Sequence, residues 1–183
     1  MKKKTMLTLL VLTVLFIAIG SSALWATKQT NIAMVLWRGI TEAEKGFQAR
    51  LKESDQYDVQ FTVFDANQDK KNLAKIIEDL DTNKYDLIYT FGTTVTKQVK
   101  NKVKDVPVVF NIVSRPVKAK VIDSWEHSGS NVTGASNAVP MASAFNSLSK
   151  VLYIGRLGFL YNSQEANSKI QLEEVEKLQE IFG

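Results

Sequence analysis

The chain has 183 residues, 45% hydrophobic and 23% charged, with nine glycines, three prolines and no low-complexity tract, so it folds around a core rather than staying disordered. The formal charge is +4, but Lys2, Lys3 and Lys4 stand together, and without those three the 23 basic residues fall to 20 against 19 acidic ones. An even mixture of the two signs offers no phosphate-neutralising face and argues against nucleic acid, while the absence of cysteine excludes disulfides, thiolate metal sites, cysteine nucleophiles and lipid attachment at a lipoprotein-type cysteine.

Residues 1–26 combine the Lys2–Lys4 cluster, an apolar run from Met6 to Ile19 and a small-residue segment, Gly20-Ser21-Ser22-Ala23. That pattern predicts an export signal, with cleavage after Ala23 placing Ser21 and Ala23 at the small-residue positions. The uncharged stretch from Met6 to Ala26 is also about long enough to span a bilayer, so an uncleaved N-terminal membrane anchor is the alternative. In both cases the chain from Thr27 onward is expected outside the inner membrane.

Four β-prone runs follow, Ile32 to Leu36, Val59 to Phe64, Leu87 to Phe91 and Val108 to Val113. Each gap carries a helical pattern. Ile40, Ala43, Phe47 and Leu51 share one helix face, with Thr41 and Glu44 spaced as a capping box. Leu73, Ile76, Ile77 and Leu80 make the second stripe, and Val95, Val99 and Val103 the third. Continuous apolar strands joined by single helices predict an α/β, doubly wound parallel sheet, because a parallel crossover needs a dozen or more residues. A fifth unit begins at Asn131-Val132-Thr133-Gly134 and continues into a helical stretch around Ala142 to Lys150. The pattern then restarts with an expected strand, Arg156 to Tyr161, and a stripe of Leu172, Val175, Leu178 and Phe182. One β-α unit falls short of a domain, so residues 27–150 read as a first lobe and 151–183 as the start of an incomplete second lobe. The last stripe is then expected to lie open to water for want of a partner.

Little in the chain fits catalysis. The single histidine, His127, lies in the loop-like stretch Glu126-His127-Ser128-Gly129-Ser130, so neither a histidine metal site nor a triad can be assembled around a second one. No metal or cofactor is expected, and paired carboxylates cannot be placed in a cleft. The Gly92-Thr93-Thr94 turn lacks the glycine spacing and lysine of a P-loop. It offers instead two hydroxyls and unpaired N–H groups at a helix N-terminus, which makes it either a carboxylate seat or an ordinary N-cap. Other strand ends carry Trp37-Arg38-Gly39, Asp65-Ala66-Asn67, Ser114-Arg115-Pro116, Ser136-Asn137 and Tyr161-Asn162. In an open parallel sheet these positions line the carboxyl edge, where ligands bind. An aromatic ring, two arginines and several amides and hydroxyls suit a small zwitterion better than a phosphate or a metal.

Asp86 to Thr93, Val106 to Asn111, Gly129-Ser130-Asn131-Val132-Thr133-Gly134 and Gly158 to Ser168, the last containing Tyr161-Asn162-Ser163-Gln164-Glu165-Ala166-Asn167-Ser168, resemble the ABC transporter substrate-binding proteins of the tryptophan/tyrosine-uptake type. The resemblance runs from about Asn31 to the end. It implies a type 1 periplasmic-binding fold, two α/β lobes with a ligand in the cleft between them, and no enzymatic activity. It implies a small polar solute, foremost an aromatic amino acid, as ligand and an ABC permease as partner. Matched position by position, Thr90, Gly92, Thr93 and Thr94 touch the ligand from the first lobe, and Asn162, Glu165, Asn167 and Ser168 from the second. Trp37, Arg38, Ser114, Arg115 and Asn137 join them as strand-end candidates, although Trp37-Arg38-Gly39 and Ser114-Arg115-Pro116 depart from the usual family residues. A membrane-anchored sensory domain of the same fold and a non-binding remnant are the competing readings.

Overall fold

Residues 28–182 are described by a computed structural model, so the leader and its cleavage lie outside the described residues. β1 (Lys28–Leu36), β2 (Tyr57–Asp65), β3 (Leu87–Phe91), β4 (Val108–Asn111) and β5 (Val132–Gly134) form one parallel sheet in the order β2-β1-β3-β4-β5. Between the first four run α1 (Glu42–Lys52), α2 (Lys70–Asp79) and α3 (Thr93–Lys102); α4 (Met141–Ser149) and α5 (Ala166–Phe182) follow β5. The α/β, doubly wound sheet expected from the alternation is the one observed. No helix among the described residues is long and apolar enough to cross a membrane.

The two faces of the sheet follow from the two-residue period of its strands. Along β1, Ile32, Met34 and Leu36 point to one side and, with Tyr89, pack against Phe47 and Leu51 of α1. Ala33 and Val35 point to the other, where Leu73, Ile77, Val95, Val99 and Val103 of the α2 and α3 stripes close the larger core. The expected capping box is formed, with Thr41 as N-cap of α1 and Glu44 reaching back to the Thr41 amide. β5 approaches β4 so closely that a Cβ on Gly134 would stand 2.0 Å from the Phe110 carbonyl oxygen, which explains the glycine at the end of the Asn131–Gly134 run.

Two expectations are corrected. The fourth strand stops at Asn111 rather than Val113, because Ile112 adopts φ 57°, the left-handed region that a β-branched side chain strongly disfavours. Arg156 to Tyr161 forms no strand: it pairs with none of the five strands, and Leu160 is 99% exposed. A run with β-propensity becomes a strand only where a neighbouring strand takes its backbone hydrogen bonds and its side chains find packing.

The last helix, in turn, is not left without a surface. Ile170 enters the larger core and Leu178 is buried, while Leu172 and Val175 are half-buried around a cavity of about 840 Å3 that Phe145, Leu152 and Phe159 also line. The side chain of Phe182 lies outside the described residues.

Candidate ligand-binding site

In a sheet of order 2-1-3-4-5 the direction of winding reverses between β1 and β3, so the loops leaving their carboxyl ends part to opposite faces and open a crevice. The first of these loops is Trp37-Arg38-Gly39, and the second is Gly92 leading into α3. The Gly92 amide donates to Asn111 O at 2.9 Å, which fixes the turn to the end of β4. Its φ 80° and ψ 167° belong to a region open essentially to glycine alone. Gly92 is the N-cap of α3 and no side chain caps this helix, so the turn is an N-cap in which neither Thr93 nor Thr94 supplies the capping oxygen. The first N–H groups of α3 have no partner within the helix and face the crevice end of the sheet.

The threonines differ in their surroundings. Thr90 is fully buried, its Oγ1 2.9 Å from Thr96 Oγ1, and Thr96 Oγ1 donates in turn to Gly92 O at 2.6 Å. This pair braces the turn from below. Thr93 is buried at the first position of the helix. Thr94 is half-buried and donates from Oγ1 to Glu165 Oε2 at 2.8 Å. The fold thus brings together two residues 71 positions apart that the sequence reading placed on the two sides of one site.

Of the remaining candidates, Trp37 is half-buried against the larger core, and its carbonyl accepts the Gln68 amide at 2.7 Å. Arg38 is exposed, with its guanidinium carbon 5.9 Å from the centre of the Phe91 ring. Ser114 is buried, and its carbonyl accepts from Ser136 Oγ and from Arg115 Nη1. Arg115 does not point into open solvent. Its Nε and Nη2 each lie 2.6 Å from the carboxylate oxygens of Glu174, and Nη2 also donates to Val139 O at 3.0 Å. Asn137 is exposed. Asn162, Asn167 and Ser168 form the turn that starts α5, where Asn162 N donates to Ser168 Oγ and Asn162 Oδ1 accepts from Gln164 N, both at 2.9 Å. His127 sits in an exposed loop.

Sequence reasoning missed a buried polar pair beside the crevice. Glu44 is fully buried, and its carboxylate accepts the Tyr89 hydroxyl at 2.8 Å, the Thr41 amide at 2.7 Å and the Thr41 hydroxyl at 2.5 Å. Burial first, and the hydrogen bond to Glu44 second, push the Tyr89 phenol well above the usual tyrosine range, against a smaller opposing pull from Asn111. The capping box in the sequence marked Glu44, but nothing in the local pattern marked its tyrosine partner. Also missed were Glu173 and Glu174 on α5. Glu173 meets Lys118 at 2.7 Å, and that hydrogen bond holds its carboxyl below the usual carboxylate range.

Among the described residues no cluster of three or more histidines, cysteines or carboxylates could hold a metal ion. A doubly wound sheet with a polar, glycine-fixed crevice at its switch point is the form of a small-molecule binding lobe. Residues 31–183 match the family of ABC transporter substrate binding proteins, and the chain belongs to that family. It is 31% identical over 156 residues to a tyrosine-binding protein of Clostridioides difficile, a match that takes in 80% of this chain and 44% of the relative. Among solved structures it resembles an ABC domain from Streptococcus pneumonia in complex with L-Trp, with 28% identity and a TM-score of 0.72 over 85% of this chain and 55% of that one. A ligand-free, open substrate binding protein with adhesive properties from Clostridium difficile, 24% identical with a TM-score of 0.67, covers 84% of this chain and shares the fold. The chain spans about half the length of these relatives, 44% of the first and 55% of each structure.

Proposed function

We propose that this protein is the extracytoplasmic solute-binding component of an ABC importer, holding a small zwitterion, foremost an aromatic amino acid, between the lobe of residues 27–150 and the segment 151–183. The observation that carries the reading is the meeting of Thr94 and Glu165 at the amino end of α3, at the switch point of the sheet, in a chain of the substrate-binding family. A ligand carboxylate is placed on the N–H groups of Thr93, Thr94 and Val95, where unpaired donors and the helix dipole favour an anion, with the Thr93 and Thr94 hydroxyls beside it. The ammonium group is placed against Glu165. Trp37, Arg38, Asn137, Asn162, Asn167 and Ser168 are assigned to the rim, while Gly92, Thr90, Ser114 and Arg115 set the geometry.

The tyrosine-binding relative and the L-Trp complex support an aromatic side chain on the ligand. A permease in the inner membrane is the assigned partner, and residues 1–26 are assigned to export. The protein is read as a binder with no chemistry of its own. Equilibrium dialysis against labelled L-tyrosine and L-tryptophan tests this, with L-lysine and a phosphorylated sugar as controls. Saturable binding of an aromatic amino acid is expected, and a folded protein that retains none of the amino acids would overturn the reading.

A further inference from the structure

α5 meets the rest of the protein through a line of acidic groups, and each finds a donor beside the crevice. Glu165, one residue before the helix, takes the Thr94 hydroxyl; Glu173 takes Lys118; Glu174 takes the fork of Arg115. Lys70 Nζ adds a bond to Gln164 Oε1 at 3.0 Å. The three partners on the sheet side come from two places: Thr94 from the first turn of α3, and Arg115 and Lys118 from the loop that follows β4. The Arg115 and Glu174 side chains are only 17% and 24% exposed, and the pair is bidentate, so it is the strongest polar contact of the set. Lys118 and Glu173 are more open and weaker.

The consequence lies at Thr94. Its hydroxyl, which the proposed function gives to a ligand carboxylate, is already bonded to a carboxylate of the protein itself. Glu165 is held there because the Arg115–Glu174 pair and the buried Ile170 fix the helix that carries it.

We propose that α5 is a lid latched by Arg115 and Glu174 over the amino end of α3, with Glu165 as the internal occupant of the ligand's carboxylate position, so that a ligand gains the site only when the lid lifts. This rests on the reading of that turn as a ligand site. Arg115 is then a positioning residue: the carboxylate it binds is that of Glu174 and not of the ligand. A zwitterion takes the place of the internal bond by giving its carboxylate to Thr94 and its ammonium to Glu165. The latch therefore controls the rate of access without itself touching the ligand.

The test uses Glu174→Gln in the full chain, which keeps the size of the side chain and removes its charge. Amide hydrogen exchange is read in α5 and in β3. The latch predicts exchange through residues 166–178 faster by about tenfold or more, with β3 unchanged. Lys118→Gln, at the exposed pair, is expected to change α5 exchange far less. Stopped-flow association with L-tyrosine is expected to speed up in Glu174→Gln. Unchanged exchange in α5, or an equal rise in β3, overturns the latch. Faster exchange with an unchanged association rate overturns its role as a gate. Faster α5 exchange in a protein that binds neither L-tyrosine nor L-tryptophan, before or after the substitution, keeps the latch and overturns the amino-acid reading instead.

Discussion

Replacing Tyr89 with phenylalanine removes one hydroxyl from the centre of the protein and leaves the ring in place. In the wild type that hydroxyl donates to a fully buried carboxylate, Glu44, at 2.8 Å. A hydrogen bond to a charged group contributes about 1.5–3 kcal/mol, and the substitution leaves Glu44 with only its two Thr41 donors. At about 2 kcal/mol, and with a chain of this size shifting roughly 2–4 °C per kcal/mol, the melting temperature should fall by about 4–8 °C. The ring keeps its packing on Phe47, 4.5 Å away between centroids, so the loss reads the polar bond and not a cavity. The pH dependence gives a second signature. The phenol's folded pKa lies above its unfolded value near 10, so the folded state holds the proton more tightly. Its contribution is complete below about pH 10 and is lost as pH rises through the folded value, so wild-type stability should fall more steeply above pH 10 than that of the Tyr89→Phe variant. Thermal melts followed by circular dichroism from pH 7 to 11 measure both. A melting temperature within about 1 °C of wild type at neutral pH, or equal slopes in alkali, would show that the Glu44–Tyr89 bond contributes nothing net.

Gly134→Ala should be among the most damaging substitutions of a single methyl group, costing on the order of 1–3 kcal/mol in denaturant titrations, because the added carbon meets the backbone oxygen of Phe110 and not a movable side chain. Gly92→Ala finds open space for its Cβ but a backbone conformation it cannot share, so a loss of about 1–3 kcal/mol is expected from strain alone, and a melting point equal to wild type would contradict the turn geometry. Thr94→Val should weaken L-tyrosine binding by about 10-fold in calorimetry and also lower stability by about 1.5 kcal/mol, since its hydroxyl donates to the Glu165 carboxylate in the free protein.

The parallel sheet was legible because β1, β3 and β4 carry buried, mostly apolar runs, the edge strand β2 is rich in β-branched and aromatic residues, and each joining helix repeats its apolar residues on one face. Residues such as Val95, Val99 and Val103 announce a helix and its buried side together. The end of β4 was not legible, since Val113 continues a β-prone run and only the backbone reveals the turn at Ile112. Arg156 to Tyr161 failed for a related reason: its composition suits a strand, but whether a neighbour stands beside it is a property of the whole sheet. At the crevice, Gly92-Thr93-Thr94 could be read because glycine after a strand and before a helix has a local meaning. The Tyr89–Glu44 and Arg115–Glu174 pairs, 45 and 59 residues apart in sequence, have none. Arg115 could be read only as a polar group at the end of a strand; that its carboxylate partner is Glu174, on a helix far along the chain, is set by the fold.

The most informative measurement compares L-tyrosine with its methyl ester, which keeps the ring and the ammonium group and lacks the carboxylate. If the amino end of α3 seats a ligand carboxylate through the N–H groups of Thr93 to Val95, calorimetry should give saturable binding of L-tyrosine and at least about 100-fold weaker binding of the ester. Equal affinity for the two, or binding of neither by the folded protein, would contradict the assignment of this turn as the heart of the site.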